Sequence, residues 1–101
     1  MATLTADSAL GAEGYQQITA VDNATAQGLT VGGVGTRALI EVQDADVRWR
    51  DDGSDPTATV GMRLAAGDSL WYNGADLTAI KFISQSGTDA ILNVSYYSVR
   101  Q

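Results

Sequence analysis

From Tyr15 onward, apolar and polar side chains alternate in short runs, and turn residues punctuate the runs. Ala38, Ile40 and Val42 fall on one side of an extended chain, with Arg37, Glu41 and Gln43 on the other. A period of two is the signature of a half-buried strand. Val47 and Trp49 repeat it against Arg48 and Arg50. Near the C-terminus Ala90, Leu92, Val94 and Tyr96 point one way, and Ile91, Asn93, Ser95 and Tyr97 the other. Shorter runs at 17–21, 29–31, 57–60, 70–72 and 80–82 complete the pattern. Between them lie turn signals at Asp22-Asn23, Gly32–Gly35, Ala65–Asp68, Asn73-Gly74 and Ser86–Asp89. No window carries apolar residues at helical spacing among good helix formers. About seven or eight short strands, with turns every ~8–12 residues, predict an all-β fold. The expected architecture is a single-domain antiparallel β-sandwich, jelly-roll-like, over residues 14–101.

Residues 1–13 are rich in Ala, Thr and Ser and lack a period. They read as a flexible terminus, or as an arm that orders on a neighbouring subunit with Leu4 and Leu10 to bury. At 101 residues the chain makes one domain with a modest core, which oligomerisation would help.

Charge narrows the function. The net charge is −6, with one lysine, Lys81, and five arginines. Nucleic-acid binding needs a cationic footprint, so this balance argues against it, and equally against an anionic membrane surface. No run approaches the ~18 apolar residues of a membrane-spanning helix, and the first residues do not read as a secretory signal. Without cysteine, disulfides and thiolate metal sites are excluded. Without histidine, the commonest general base and metal ligand is missing. A nucleophile–base pair would have to join Ser or Thr to Asp, Glu or Lys81, and no spacing singles one out. The chain reads as a non-enzyme without catalytic residues, cofactor or metal.

The densest turn is Asp51-Asp52-Gly53-Ser54-Asp55-Pro56. Clustered carboxylates around a glycine suit a hard cation, but the spacing does not match a calcium-binding loop. As a turn the segment explains itself: Asp and Ser bond their own backbone, Gly takes positive φ, and Pro56 fixes the exit. Gly32–Arg37 resembles a phosphate loop only faintly, because a strand rather than a helix follows it. Asn23-Ala24-Thr25 and Asn93-Val94-Ser95 match the glycosylation sequon but are discounted without a secretory signal.

Arg48, Arg50 and Arg63 are expected on one outer face near this corner. There they would pair with Asp51, Asp52 or Asp55, or with a partner protein's carboxylates. The adjacent pairs Trp71-Tyr72 and Tyr96-Tyr97 must put one ring on each face of a strand. The outward ring suits a subunit contact or a stacked sugar, with Trp71 and Asp68 as possible sugar-binding members. The candidate interface is therefore Leu4, Leu10, Arg48, Arg50, Asp51, Asp52, Arg63 and Trp71.

The segments 47–61 (V-R-W-R-D-D-G-S-D-P-T-A-T-V-G), 64–72 (L-A-A-G-D-S-L-W-Y), 79–83 (A-I-K-F-I) and 90–97 (A-I-L-N-V-S-Y-Y) together resemble small structural proteins of tailed-bacteriophage virions. They span about half the chain, and their order is more specific than any one alone. The resemblance implies a virion location on the capsid surface, after synthesis in the host bacterial cytoplasm. It implies a decoration or cement role, in which a homo-oligomer, with a trimer favoured, clamps the major capsid protein. The alternative is a carbohydrate-binding or adaptor module of a tail or baseplate.

Overall fold

A computed structural model describes residues 10–30, 37–73 and 76–99. Leu4 and the rest of residues 1–9 lie outside these, as do residues 31–36, 74–75 and 100–101.

Eight strands form: β1 (Leu10–Val21), β2 (Gln27–Gly28), β3 (Arg37–Gln43), β4 (Val47–Arg50), β5 (Met62–Leu64), β6 (Ser69–Tyr72), β7 (Lys81–Ser84) and β8 (Ala90–Val99). No helix occurs among the described residues. The strands make two four-stranded antiparallel sheets. Sheet I has the order β1-β8-β3-β6 and sheet II the order β2-β7-β4-β5. The pairing is nested: β1 meets β8, β2 meets β7, β3 meets β6, and β4 meets β5. Contacts of β3 with β8 and of β4 with β7 join these pairs into sheets.

The alternation decides what each sheet buries. Ala38, Ile40 and Val42 of β3 and Leu92, Val94 and Tyr96 of β8 are buried. They share one core with Val47 of β4 and Phe82 of β7. Cross-strand partners lie on the same face, so the register stacks these inward sets directly: Ile40 opposite Val94, and Val42 opposite Leu92. Trp49, Leu64, Leu70 and Tyr72 close the margins of the core. Trp49 and Tyr72 meet edge to face at 6.4 Å, the arrangement favoured by aromatic quadrupoles.

Three elements depart from the sequence expectation. Strand β1 begins at Leu10, so residues 10–13 of the expected arm are sheet rather than tether. Strict alternation over 17–21 would also place Ile18 and Val21 on opposite faces. Both are buried, because a register shift between them inserts an extra residue. Finally, the returning run 57–60 is a turn, and the strand comes later as β5. Thr57 Oγ1 accepts the Val60 N–H at 3.0 Å, and Thr57 N–H donates to the Val60 carbonyl at 2.9 Å. The hydroxyl thus offers the backbone a local alternative to the ladder. Likewise β2 lies at 27–28 rather than 29–31, with Leu29 dropping into the core just after it.

Candidate functional site

Two surfaces collect the candidate residues, one around the corner and edge of sheet II and one on the outer face of sheet I.

The first is the corner 51–61 on sheet II. Val47 faces the core, so Arg48 and Arg50 face outward. Arg63 pairs across strands with Arg48, and Lys81 with Arg50. Arg48, Arg50 and Arg63 therefore do share one face. Their bonds are local. Arg50 forms a two-pronged bridge to Asp52, with Nε to Oδ1 at 3.0 Å and a second nitrogen to Oδ2 at 2.6 Å. It is the one ion pair among the described residues. This contact raises the Arg50 guanidinium above its ordinary pKa and holds the Asp52 carboxyl below its own. Arg48 instead donates to the Gly61 carbonyl at 2.9 Å, while its Nε is enclosed without a partner. Pro56 is buried. A Cβ on Gly61 would lie 3.1 Å from the Arg48 Cβ and 3.2 Å from the Pro56 Cβ. The corner thus closes tightly against Arg48.

The acidic side chains of the corner diverge. Asp51 accepts the Tyr72 hydroxyl at 3.0 Å, and Asp52 is held by Arg50. Burial, followed by this Asp51 contact, raises the Tyr72 pKa. Among the described residues no three carboxylates converge to hold a metal ion. Apolar groups are presented at the end of the corner: Val60 is 50% exposed, and Met62 of β5, opposite Trp49 at the open edge of the sheet, is 59% exposed. Both line a shallow groove of about 250 Å³ with Trp49, Arg50, Asp51 and Asp52. Small-molecule pockets are usually ~300–1,000 Å³ and more enclosed.

The second surface is the outer face of sheet I, where Leu10 and Trp71 lie. The register lays out a grid of outward side chains. One row runs Tyr15, Ser95, Leu39, Trp71 from β1 to β6; the next runs Gln17, Asn93, Glu41, Ser69. Beyond the first row sit Ala12, Tyr97 and Arg37. Tyr15 is 65% and Trp71 43% exposed. The Trp71 and Tyr97 rings lie 5.5 Å apart, tilted by 47°. As the sequence implied, Tyr72 and Tyr96 turn to the core side and Trp71 and Tyr97 away from it.

Asn93, passed over in the sequence except as a sequon, is the hub of the second row. Its Oδ1 accepts from the Tyr15 hydroxyl and from Gln17 Nε2, each at 2.8 Å. Its Nδ2 donates to Glu41 at 3.3 Å and to Gln43 at 3.0 Å. The outward polar half of the β8 alternation was the available signal. Asp68 is not part of this face. Its carboxylate accepts the Ala65 N–H at 3.2 Å, and it lines a hollow of about 200 Å³ with Asp46, Arg63 and Gln85.

No protein-family model, curated protein or solved structure matches this chain.

Proposed function

We propose that this protein is a structural virion component that decorates and stabilises a capsid shell by binding the major capsid protein. The nested pairing and the two strand orders support a jelly-roll sandwich as its finer architecture, since folding one long hairpin over on itself gives that order. The observation that carries the binding role is the corner 51–61. Val60, and Met62 where the corner enters β5, are exposed beside a backbone braced by the Arg50–Asp52 bridge, the Arg48–Gly61 bond and buried Pro56. Exposed apolar groups on a rigid support lose little freedom on docking. Methionine, arginine and aromatic residues, all present around the groove, are enriched in protein interfaces. Assembly as a trimer belongs to the same proposal.

Co-sedimentation of the purified chain with shells of its capsid protein tests this reading. The unmodified chain should sediment with the shells. Val60→Asp with Met62→Asp should abolish binding while leaving thermal unfolding unchanged, since both side chains are exposed. Equal binding by the double variant, or particles shown by mass spectrometry to lack the chain, would overturn the proposal.

A further inference from the structure

We infer that the outer face of sheet I is a binding site for a neutral oligosaccharide. This site is independent of the capsid reading, because it lies on the other sheet.

Three properties of the face point to that ligand. The first is its shape. Tyr15 and Trp71 stand at the two ends of one row, with the smaller Ser95 and Leu39 between them. At ~4.8 Å per strand, three inter-strand steps put the backbones of these two residues about 14 Å apart. The result is an exposed aromatic platform, in which the Trp71 ring packs beside Tyr97 and the Tyr15 hydroxyl reaches across to Asn93. Aromatic faces match the C–H faces of pyranose rings.

The second is the polar row alongside. Gln17, Asn93, Glu41 and Gln43 present planar amides and a carboxylate, the groups that pair with adjacent sugar hydroxyls. Asn93 already links them through four hydrogen bonds, together with the Tyr15 hydroxyl. Groups fixed in place beforehand lose little entropy when a ligand arrives.

The third is charge. The chain carries a net charge of −6, yet the nine described aspartates all lie outside the strands. The two described glutamates, Glu13 and Glu41, are the acids on strands, and Arg37 is close by in the grid. The face is therefore poor in charge on an acidic molecule. Uncharged sugar meets no repulsion there, and its hydroxyls supply hydrogen bonds to the Glu41 carboxylate it covers. An acidic glycan would be repelled by the chain as a whole.

The test uses the full chain on an immobilised array of neutral glycans, followed by titration of the strongest soluble hit. Binding is expected, with backbone and side-chain amide NMR shifts concentrated at Gln17, Asn93, Gln43 and Trp71. Trp71→Ala should lower the affinity about tenfold. Tyr15→Ala, at a position far from the core, should do the same without altering the fold. Val60→Asp with Met62→Asp should bind the glycan as the unmodified chain does, which separates this site from the corner. An array with no binder, shifts confined to another surface, or unchanged affinity in both aromatic variants would overturn the inference. So would sedimentation showing the face covered by a second copy in a complex that excludes the sugar.

Discussion

Ser84 is the one buried polar side chain among the described residues, and it works as a knot. Its hydroxyl donates to the Thr88 carbonyl at 2.7 Å and accepts the Ser86 N–H at 3.2 Å. Its own N–H reaches the Asp22 carbonyl at 2.8 Å. The turn after β7 and the loop after β1 are thereby tied to one residue. Ser84→Ala takes the hydroxyl partner from the Ser86 N–H and the Thr88 carbonyl in part-buried bonds, which costs roughly 1 kcal/mol. Urea denaturation should show the midpoint falling at unchanged slope; an unchanged midpoint would refute the assignment. Nothing in the sequence marked Ser84. It follows two apolar residues, so alternation could not separate it from the surface serines, and its role depends on carbonyls brought in by tertiary folding.

At the scale of elements, what was legible depended on how many faces a strand has to satisfy. β3 and β8 sit in the middle of sheet I, with one face on the core and the other outward, and their alternation survives intact in the structure. The edge strands β2 and β5 are two and three residues long, too short to leave a period. β1 is long, but its two register shifts break the period that alternation relies on. Where the fold places the candidate interface residues was legible only in part. Arg48 and Arg50 came from one strand, so their shared face was readable, whereas the assignment of Trp71 and Leu10 to the other sheet follows from pairings remote in sequence.

The corner shows how an element is fixed by backbone more than by charge. Gly61 adopts φ of +142° and Gly53 φ of +91°. A side chain at either position is strained, but a Cβ at Gly53 meets nothing, while one at Gly61 also presses on the Trp49 carbonyl at 3.1 Å. Gly53→Ala should therefore cost only the left-handed backbone penalty, about 1–2 kcal/mol. Gly61→Ala should cost clearly more, because backbone must move as well. Thermal unfolding of both variants checks the order, and equal losses would show that the corner yields freely.

For the molecule as a whole, the acids serve the loops. Backbone N–H groups of Thr25 and Ala24 hold the Asp22 carboxyl below its ordinary value of 3.8. The Arg50 hydrogen bond does the same for Asp52, and the Thr78 hydroxyl and N–H for Asp76. Each group binds its proton less readily folded than unfolded. Stability from all three is thus fully present above 3.8 and is lost as pH falls below it, through the lowered folded values. Circular-dichroism melts should give a steady melting temperature down to that pH and a decline below it. Asp22→Asn, which keeps an acceptor oxygen but cannot titrate, should make the decline shallower. A profile level through this window would contradict the role given to these carboxylates.

The nested pairing has a consequence for how the chain comes into being. Leu10 pairs with Val99, so the outermost partners stand at nearly the full span of the sequence from one another. On a ribosome, β1 emerges before the other seven strands and has no sheet neighbour until β8, the last of the eight, leaves the exit tunnel. Sheet I cannot assemble earlier, because β8 lies between β1 and β3. The innermost hairpin, β4 with β5, closes the shortest loop and can form first, with the outer pairs added around it. Birth order and assembly order therefore run in different directions: synthesis proceeds from one end, and folding from the middle outward. A nascent chain halted before residue 90 holds eleven of the fifteen residues of the core cluster and none of the strand that unites them.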